Sequence, residues 1–327
     1  MPSEKVFVTR RRVPEAIALL EKHFDVEVWE EKTPPPRAVL LAQVAESQGI
    51  LTEIDDIIDE EALRSSTTLR IVANRAVGLD NVNVDEATRR GILISNTPGV
   101  LHESCADFTF ALILAAARNV VFSDREVRAG AWTMFDQMPY LGVDVHGATL
   151  GIVGLGRIGQ AVARRARGFD MRVLYHSRTR RPEHEGNLAV EWMPDLPSLL
   201  RESDFVSIHV PLNSDTERFI GQREFEQMKP SAVLVNTSRG RTVDSKALYD
   251  ALSKGAIAGA ALDVTDPEPL PLDDPLLTLP NVIITPHLSS ASAATVRKMG
   301  LMAAENIIAA LTGQPMPSCV NPDARRL

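Results

Sequence analysis

Of the seven histidines in this 327-residue chain, His287 stands where an imidazole could do chemistry. It follows Ile283-Ile284-Thr285-Pro286, just beyond the carboxyl end of an apolar strand, where open α/β sheets place their ligands. Pro286 restrains its backbone. Two more polar residues lie past the ends of the preceding strands: Arg239 in Asn236-Thr237-Ser238-Arg239-Gly240, and Glu268 in Leu262-Asp263-Val264-Thr265-Asp266-Pro267-Glu268-Pro269. Their chemistries are complementary. An imidazole with an ordinary pKa near ~6.5 donates a proton around neutral pH. A glutamate bonded to it orients the ring and favours its cation. A guanidinium offers a planar fork to a carboxylate and to a developing oxyanion. Each residue alone also has an ordinary use in a salt bridge or a turn.

A second constellation is Gly154-Leu155-Gly156-Arg157-Ile158-Gly159. A glycine-rich turn by itself is weak, but this one follows the apolar strand Thr149–Val153 and opens a helix whose Ile158, Ala161, Val162, Ala166 and Phe169 share a face. The next strand, Met171–Tyr175, comes at the spacing of a ~30-residue βαβ unit. The glycines permit a tight turn, close approach to a pyrophosphate and close helix–strand packing, and the helix N-terminus offers free N–H groups to phosphate. An NAD site usually carries an acid ~20 residues later for the ribose 2′-OH. Here the strand ends in His176-Ser177-Arg178-Thr179-Arg180-Arg181, with no acid before Glu183. A hydroxyl and arginines suit a 2′-phosphate, so NADP(H) is the expected cofactor. NAD(H) is the alternative, in which case the arginines are a solvated loop.

Composition excludes several other classes. Lys plus Arg total 35 against 43 Asp plus Glu, a net charge of −8. With no dense basic run the chain lacks the footprint of a nucleic-acid binder, and the short Arg10-Arg11-Arg12 run reads as a solvated loop. Cys105 and Cys319 are far apart, without metal or redox spacing, and fit a reducing cytoplasm. No metal site, H-E-x-x-H or G-x-S-x-G is read in the chain. No apolar run approaches ~18 residues, and the first residues lead into Lys5–Thr9 without the pattern of a signal peptide, so neither a spanning helix nor secretion is expected.

The elements that must position these groups alternate as strand and helix, the pattern of parallel α/β architecture. Strands are predicted at 5–9, 25–29, 48–51, 70–73 and 92–95, with helices at 13–22, 37–45, 59–65 and 83–90 between them. After Thr97-Pro98-Gly99 a single long helix is predicted over 102–128. A second series of strands follows at 149–153, 171–176, 205–210, 232–236, 258–263 and 282–285, and a last helix at 291–312. No repeat of fixed period is visible.

The segments G-L-G-R-I-G-Q, N-T-S-R-G, L-D-V-x-x-x-E-P and T-P-H together resemble the D-isomer-specific 2-hydroxyacid dehydrogenases. The likeness runs from about residue 5 to 317 and includes Val77-Gly78-Leu79-Asp80, Ala106-Asp107 and His209-Val210-Pro211-Leu212. Within the family, Glu268-Pro269-Leu270-Pro271, Pro275-Leu276-Leu277 and Gly313–Pro317 look most like glyoxylate/hydroxypyruvate reductases.

The resemblance implies two doubly wound parallel-sheet domains. A flavodoxin-like substrate domain of residues 1–98 and 289–327 would carry an inserted Rossmann domain of residues 99–288, hinged over a cleft. It implies that His287 is the general acid, oriented by Glu268, that Arg239 holds the substrate, and that the backbone of Val77 and Gly78 binds its carboxylate. The implied cofactor-binding set is Gly154, Leu155, Gly156, Arg157, Ile158 and Gly159, then Ser177, Arg178, Thr179 and Arg180. It continues with Val210, Pro211, Thr216, Thr237, Ser238, Asp263 (at the nicotinamide end) and Ser289. The substrate would be a small 2-keto acid, glyoxylate or hydroxypyruvate, with 2-ketogluconate or phosphohydroxypyruvate as alternatives; a dinucleotide-sensing scaffold is the non-enzymatic alternative. A homodimer is implied, with the long helix after Pro98 and the segment near Trp132 at its interface. Some reductases of this subgroup carry a second tryptophan three residues later, where this chain has Phe135. Leu288-Ser289-Ser290 also departs from the small residue and glycine found in many relatives.

Overall fold

The computed structural model describes residues 4–326, so the ends of the expected substrate domain, residues 1–3 and 327, lie outside the described residues. The chain forms two compact units, residues 4–101 with 291–326, and residues 102–290. The crossings thus fall at 101/102 and 290/291 rather than at 98/99 and 288/289. The first helix of the second unit begins at His102, and the last helix of the first begins at Ala293.

In the first unit, β1 (Lys5–Val8), β2 (Asp25–Val28), β3 (Gly49–Thr52), β4 (Ile71–Asn74) and β5 (Leu93–Ser95) make a parallel sheet in the order β2-β1-β3-β4-β5. This is the flavodoxin-like order. Alternation along the strands separates two apolar layers. Val6, Val8, Leu51, Ile71 and Ala73 pack with Ala303, Ala304 and Ile307 of the helix Ala293–Leu311. Phe7, Ile50, Val72 and Ile94 pack with Leu40, Val44, Leu63 and Ala87 on the other face. Both faces of a parallel sheet must be covered. The last helix supplies part of that cover, which assigns it to this unit.

The second unit holds β6 (Thr149–Val153), β7 (Arg172–His176), β8 (Val190–Trp192), β9 (Phe205–Ile208), β10 (Val233–Asn236), β11 (Gly259–Leu262) and β12 (Val282–Ile284). The order β12-β11-β10-β9-β6-β7-β8 is a Rossmann sheet with one added edge strand, and every pairing is parallel. Strand order reverses between β6 and β9, which opens the ligand crevice at their carboxyl ends. Leu150, Ile152, Val173, Tyr175 and Val235 meet Phe110, Ile113, Ala161 and Val162 on one face, while Val206, Ile208, Leu234 and Leu262 meet Leu199, Phe225, Leu248 and Leu252 on the other.

Two expectations are corrected. The helix predicted over 102–128 is two helices, His102–Ala117 and Val120–Arg128, bent by 61°. The break is Asn119, at φ +52, a left-handed conformation that asparagine tolerates better than most residues. Strand β8 was not foreseen, because three residues at a sheet edge give too short a pattern. Among the described residues no single helix is long and apolar enough to cross a membrane.

Gly300 is a packing constraint inside the first unit. A Cβ there would lie 2.6–2.9 Å from three side-chain atoms of buried Val13. Helix propensity favours alanine over glycine by about 1 kcal/mol, but overpacking costs about 1–3 kcal/mol. Gly300→Ala is therefore expected to lower stability in urea unfolding. The same substitution in a Val13→Gly background should be neutral or stabilising relative to Val13→Gly alone, because all three obstructing atoms are then gone.

Candidate active site

The glycine turn leaves β6 at Gly154, whose φ of +100° is open to glycine and few other residues. A Cβ there would also stand 2.7 Å from the His209 carbonyl, and one at Gly159 would stand 2.2 Å from the Gly154 carbonyl. Helix Arg157–Ala166 begins at Gly156 with no side-chain cap on its first-turn N–H groups, and the space over the Gly156 Cα is open. On the neighbouring strand, burial pushes the His209 imidazole down to about 3, and its Nε2 lies 2.8 Å from Ser207 Oγ. That ring is neutral at physiological pH and cannot act as the proton-donating cation. Val210 and Pro211 follow it, and Thr216 Oγ1 donates to the Pro211 carbonyl, tying off the loop.

At the ribose end, the arginines divide. Arg180 donates from Nε and Nη2 to the two carboxylate oxygens of Glu185, both at 2.8 Å, and lies 5.2 Å from the centre of the Trp192 ring. Tyr175 Oη donates to the same carboxylate at 2.9 Å and accepts from the Arg181 N–H at 2.8 Å. Arg180 above all, then Tyr175, holds the Glu185 carboxyl down to about 2. Arg178 is exposed and makes no ion pair among the described residues, and Ser177 Oγ donates to the Thr179 carbonyl at 2.6 Å. Arg178 is thus the arginine available to a ligand, whereas Arg180 braces the loop.

The polar triad is assembled by three adjacent strands. After β10, Asn236 Oδ1 accepts from the backbone and hydroxyl of Ser238, and Asn236 Nδ2 donates to the Arg239 carbonyl. Arg239 Nη1 donates to the Ser238 carbonyl at 2.8 Å. Gly240 allows this loop to lie against the one after β11, since a Cβ there would fall 1.8 Å from the Thr265 carbonyl. In that second loop the Thr265 N–H donates to Glu268 Oε1 at 2.9 Å. Glu268 Oε2 lies 2.9 Å from His287 Nδ1, and Nε2 of the ring has no partner among the described residues.

His287 sits at φ +56, and a non-glycine residue there costs about 1–3 kcal/mol. Asp263, at the end of β11, holds it in place. Its carbonyl accepts the His287 N–H at 2.9 Å, and its carboxylate, 1% exposed, accepts from Thr285 Oγ1, the Leu288 N–H and the Ser289 N–H, each at 2.7 Å. Ser104 Oγ donates to the Ser289 carbonyl, and Thr237 Oγ1 lies 3.1 Å from Thr109 Oγ1. These contacts knit helix His102–Ala117 to the same strand ends.

In the first unit, Val77 and Gly78 occupy the loop after β4. Arg75, just before them, pairs with buried Glu53, and Asn81 Nδ2 donates to the Glu53 and Asp56 carbonyls. Burial raises the Glu53 carboxyl above its ordinary value against the pull of Arg75.

With this geometry in hand, comparison with known proteins is decisive. Residues 110–289 match the D-isomer specific 2-hydroxyacid dehydrogenase, NAD binding domain. Over 318 residues the chain is 52% identical to a glyoxylate reductase of Korarchaeum cryptofilum, covering 97% of this chain and 96% of that protein. The chain belongs to the D-isomer-specific 2-hydroxyacid dehydrogenase family. It is also 49% identical to a glyoxylate reductase of Aeropyrum pernix, over 98% of this chain and 97% of that one. Among solved structures it superposes with a TM-score of 0.87 on an NADPH-dependent glyoxylate/hydroxypyruvate reductase from Sinorhizobium meliloti, crystallised with NADP and malonate. That pair is 32% identical, covering 99% of this chain and 98% of the other.

As a member of this dehydrogenase family the protein is an NAD(P)-dependent enzyme, and its glycine turn fits such a dinucleotide. The Gly156 backbone is open to approach and the helix N–H groups are uncapped. Sequence reasoning located His287, Glu268 and Arg239 and their strand ends. It did not find the brace formed by Tyr175, Glu185 and Trp192, which no motif marks, or the use of the Asp263 carboxylate by the His287 loop. Asp263→Asn is expected to test that use, because an amide would turn an NH₂ toward donors. Stability should fall by about 1–3 kcal/mol in denaturant titration, and turnover should fall with it. A variant unchanged in both would show that the carboxylate does not hold His287.

Proposed function

We propose that the protein is an NADPH-dependent reductase of glyoxylate, and of hydroxypyruvate, giving glycolate and D-glycerate. The observation that carries this reading is the 2.9 Å pair of His287 and Glu268 beside Arg239 on adjacent strand ends, in a chain 52% identical to a glyoxylate reductase. The dinucleotide would be held by residues 154–159, by Ser177, Arg178 and Thr179, and by Val210, Pro211, Thr216, Thr237, Ser238, Asp263 and Ser289. Arg180 contributes through the loop it braces. When bound, the reduced nicotinamide supplies a hydride to the carbonyl carbon. Arg239 orients the 2-oxo acid and offsets charge growing on the carbonyl oxygen. Glu268 accepts from Nδ1–H of His287, which turns Nε2 to the substrate, and Nε2 gives its proton to that oxygen. The Val77–Gly78 backbone takes the substrate carboxylate.

A homodimer is part of the same reading. Exposed apolar side chains concentrate in one segment of the second unit: Trp132, Met134, Phe135, Met138 and Leu141, with Phe135 84% exposed. Such concentrations mark protein interfaces, and a second copy supplies the matching apolar surface. Cys105 and Cys319 are free thiols, which supports a reducing cytoplasm.

The decisive assay follows loss of NADPH absorbance with glyoxylate, with NADH, hydroxypyruvate and 2-ketogluconate as comparisons. Glyoxylate and hydroxypyruvate should be the better substrates, and equal use of NADPH and NADH would refute the cofactor assignment. Arg178→Ala is expected to lower kcat/KM for NADPH by about tenfold or more and to leave NADH nearly unchanged, since a hydrogen bond between charged groups contributes ~1.5–3 kcal/mol. His287→Ala should reduce turnover by about 10²–10⁴-fold with NADPH binding retained. Retention of more than about a third of turnover in a chemistry-limited assay would remove His287 from the proton-donor role.

A further inference from the structure

Three consecutive peptide groups around Val77 and Gly78 are pinned by their carbonyls. The Ala76 carbonyl accepts from the Thr97 N–H at 2.8 Å, the Val77 carbonyl from Asn96 Nδ2 at 2.9 Å and the Gly78 carbonyl from Asn74 Nδ2 at 3.0 Å. In a trans peptide the N–H of the next residue points away from the carbonyl. Each bond therefore sets the direction of one amide hydrogen: Val77 through Thr97, Gly78 through Asn96 and Leu79 through Asn74. None of those three N–H groups has a hydrogen-bond partner among the described residues. A run of unpartnered amides with fixed direction suits an anion.

The two asparagines are themselves fixed. Ser318 Oγ donates to Asn96 Oδ1 at 2.9 Å, which turns the Asn96 NH₂ toward Val77, and Asn306 Oδ1 holds the Ser318 N–H at 2.9 Å. Asn74 is fully buried on β4, accepts from Thr52 Oγ1 and shares its amide with Asn81. Neither lies in a segment whose likeness to a family motif drew attention in the sequence.

We propose that Asn96 and Asn74 are positioning residues for the substrate carboxylate. They orient the amide hydrogens of Gly78 and Leu79 toward it and touch no reacting atom themselves. Ser318, carried by the return of the chain after the last helix, is the outer member of the same relay. The inference rests on the reading that this loop receives the carboxylate of the 2-oxo acid, and it adds Leu79 to the donors.

The test uses the full-length enzyme with NADPH and glyoxylate. Asn74 is buried in a dense network, so the primary variant is the partly exposed Asn96→Ala, with Ser318→Ala as the second. Asn96→Ala is expected to raise the glyoxylate KM about tenfold, as loss of an oriented contact to a charged group does, with the NADPH KM and the Tm little changed. Ser318→Ala should give a smaller rise of the same kind, because Asn96 keeps its donor but loses its anchor. Gly78→Pro, which removes one amide hydrogen, separates the two levels of the reading. If it raises the glyoxylate KM while Asn96→Ala does not, the asparagines do not position the carboxylate and the inference fails alone. If neither raises it, the loop is not the carboxylate site and both readings fail. A parallel fall of Tm, kcat and cofactor affinity in Asn96→Ala would mark a purely structural asparagine and overturn the proposal.

Discussion

The buried carboxylate of Asp263 collects a hydroxyl and two backbone N–H groups from the segment Thr285–Ser289, and the placement of His287 depends on it. A carboxylate out of water is tolerable only with donors around it, and those donors are satisfied only when the segment folds back onto the end of β11. The turn this requires puts His287 at φ +56, against the ordinary preference of a residue with a β-carbon. The strain is local and is offset by the three bonds. The outcome is an imidazole whose backbone is bonded to the Asp263 carbonyl and whose ring meets Glu268, so two acidic residues from one loop set its position and its orientation.

That arrangement is possible because β10, β11 and β12 are adjacent and parallel, so their carboxyl ends open on the same edge. Loops leaving neighbouring strands lie within side-chain reach, and close packing is settled by small residues. Gly240 lies where any side chain would strike the Thr265 carbonyl. The topological switch between β6 and β9 puts the uncapped helix of the glycine turn on that same edge. The glycine turn and the His287–Glu268 pair thus lie along one sheet edge.

Charge counting and charge placement give different pictures of the ribose end. Three arginines in four positions read as a strongly basic loop, yet Glu185 and the Trp192 face draw Arg180 back onto the protein. The loop gains rigidity and gives up one of its charges. In the first unit, side-chain amides do comparable work on the backbone, fixing peptide dipoles where no charged side chain is used.

Strand and helix periodicity, the glycine turn and the strand-end motifs were legible because each is a local pattern with a local physical cause. An alternating run must bury a face, a glycine turn must leave a strand, and His287 follows its strand within three residues. Where the local signal was thin, reading failed: the bend falls at Arg118-Asn119, a polar pair that a continuous helix could equally carry on its exposed face, and β8 is three residues long. The sequence by itself determined that the chain has a dinucleotide turn and that an arginine, a glutamate and a histidine end successive strands. Only the tertiary structure decided which carboxylate holds the His287 segment, which arginine of the ribose-end loop is drawn into a two-bond pair with Glu185, and which amides of the Val77 loop are left without a partner among the described residues. Those outcomes depend on partners 5 to more than 200 residues apart, such as Arg180 with Glu185 and Asn96 with Ser318, and on competition for donors that exists only once the strands are side by side.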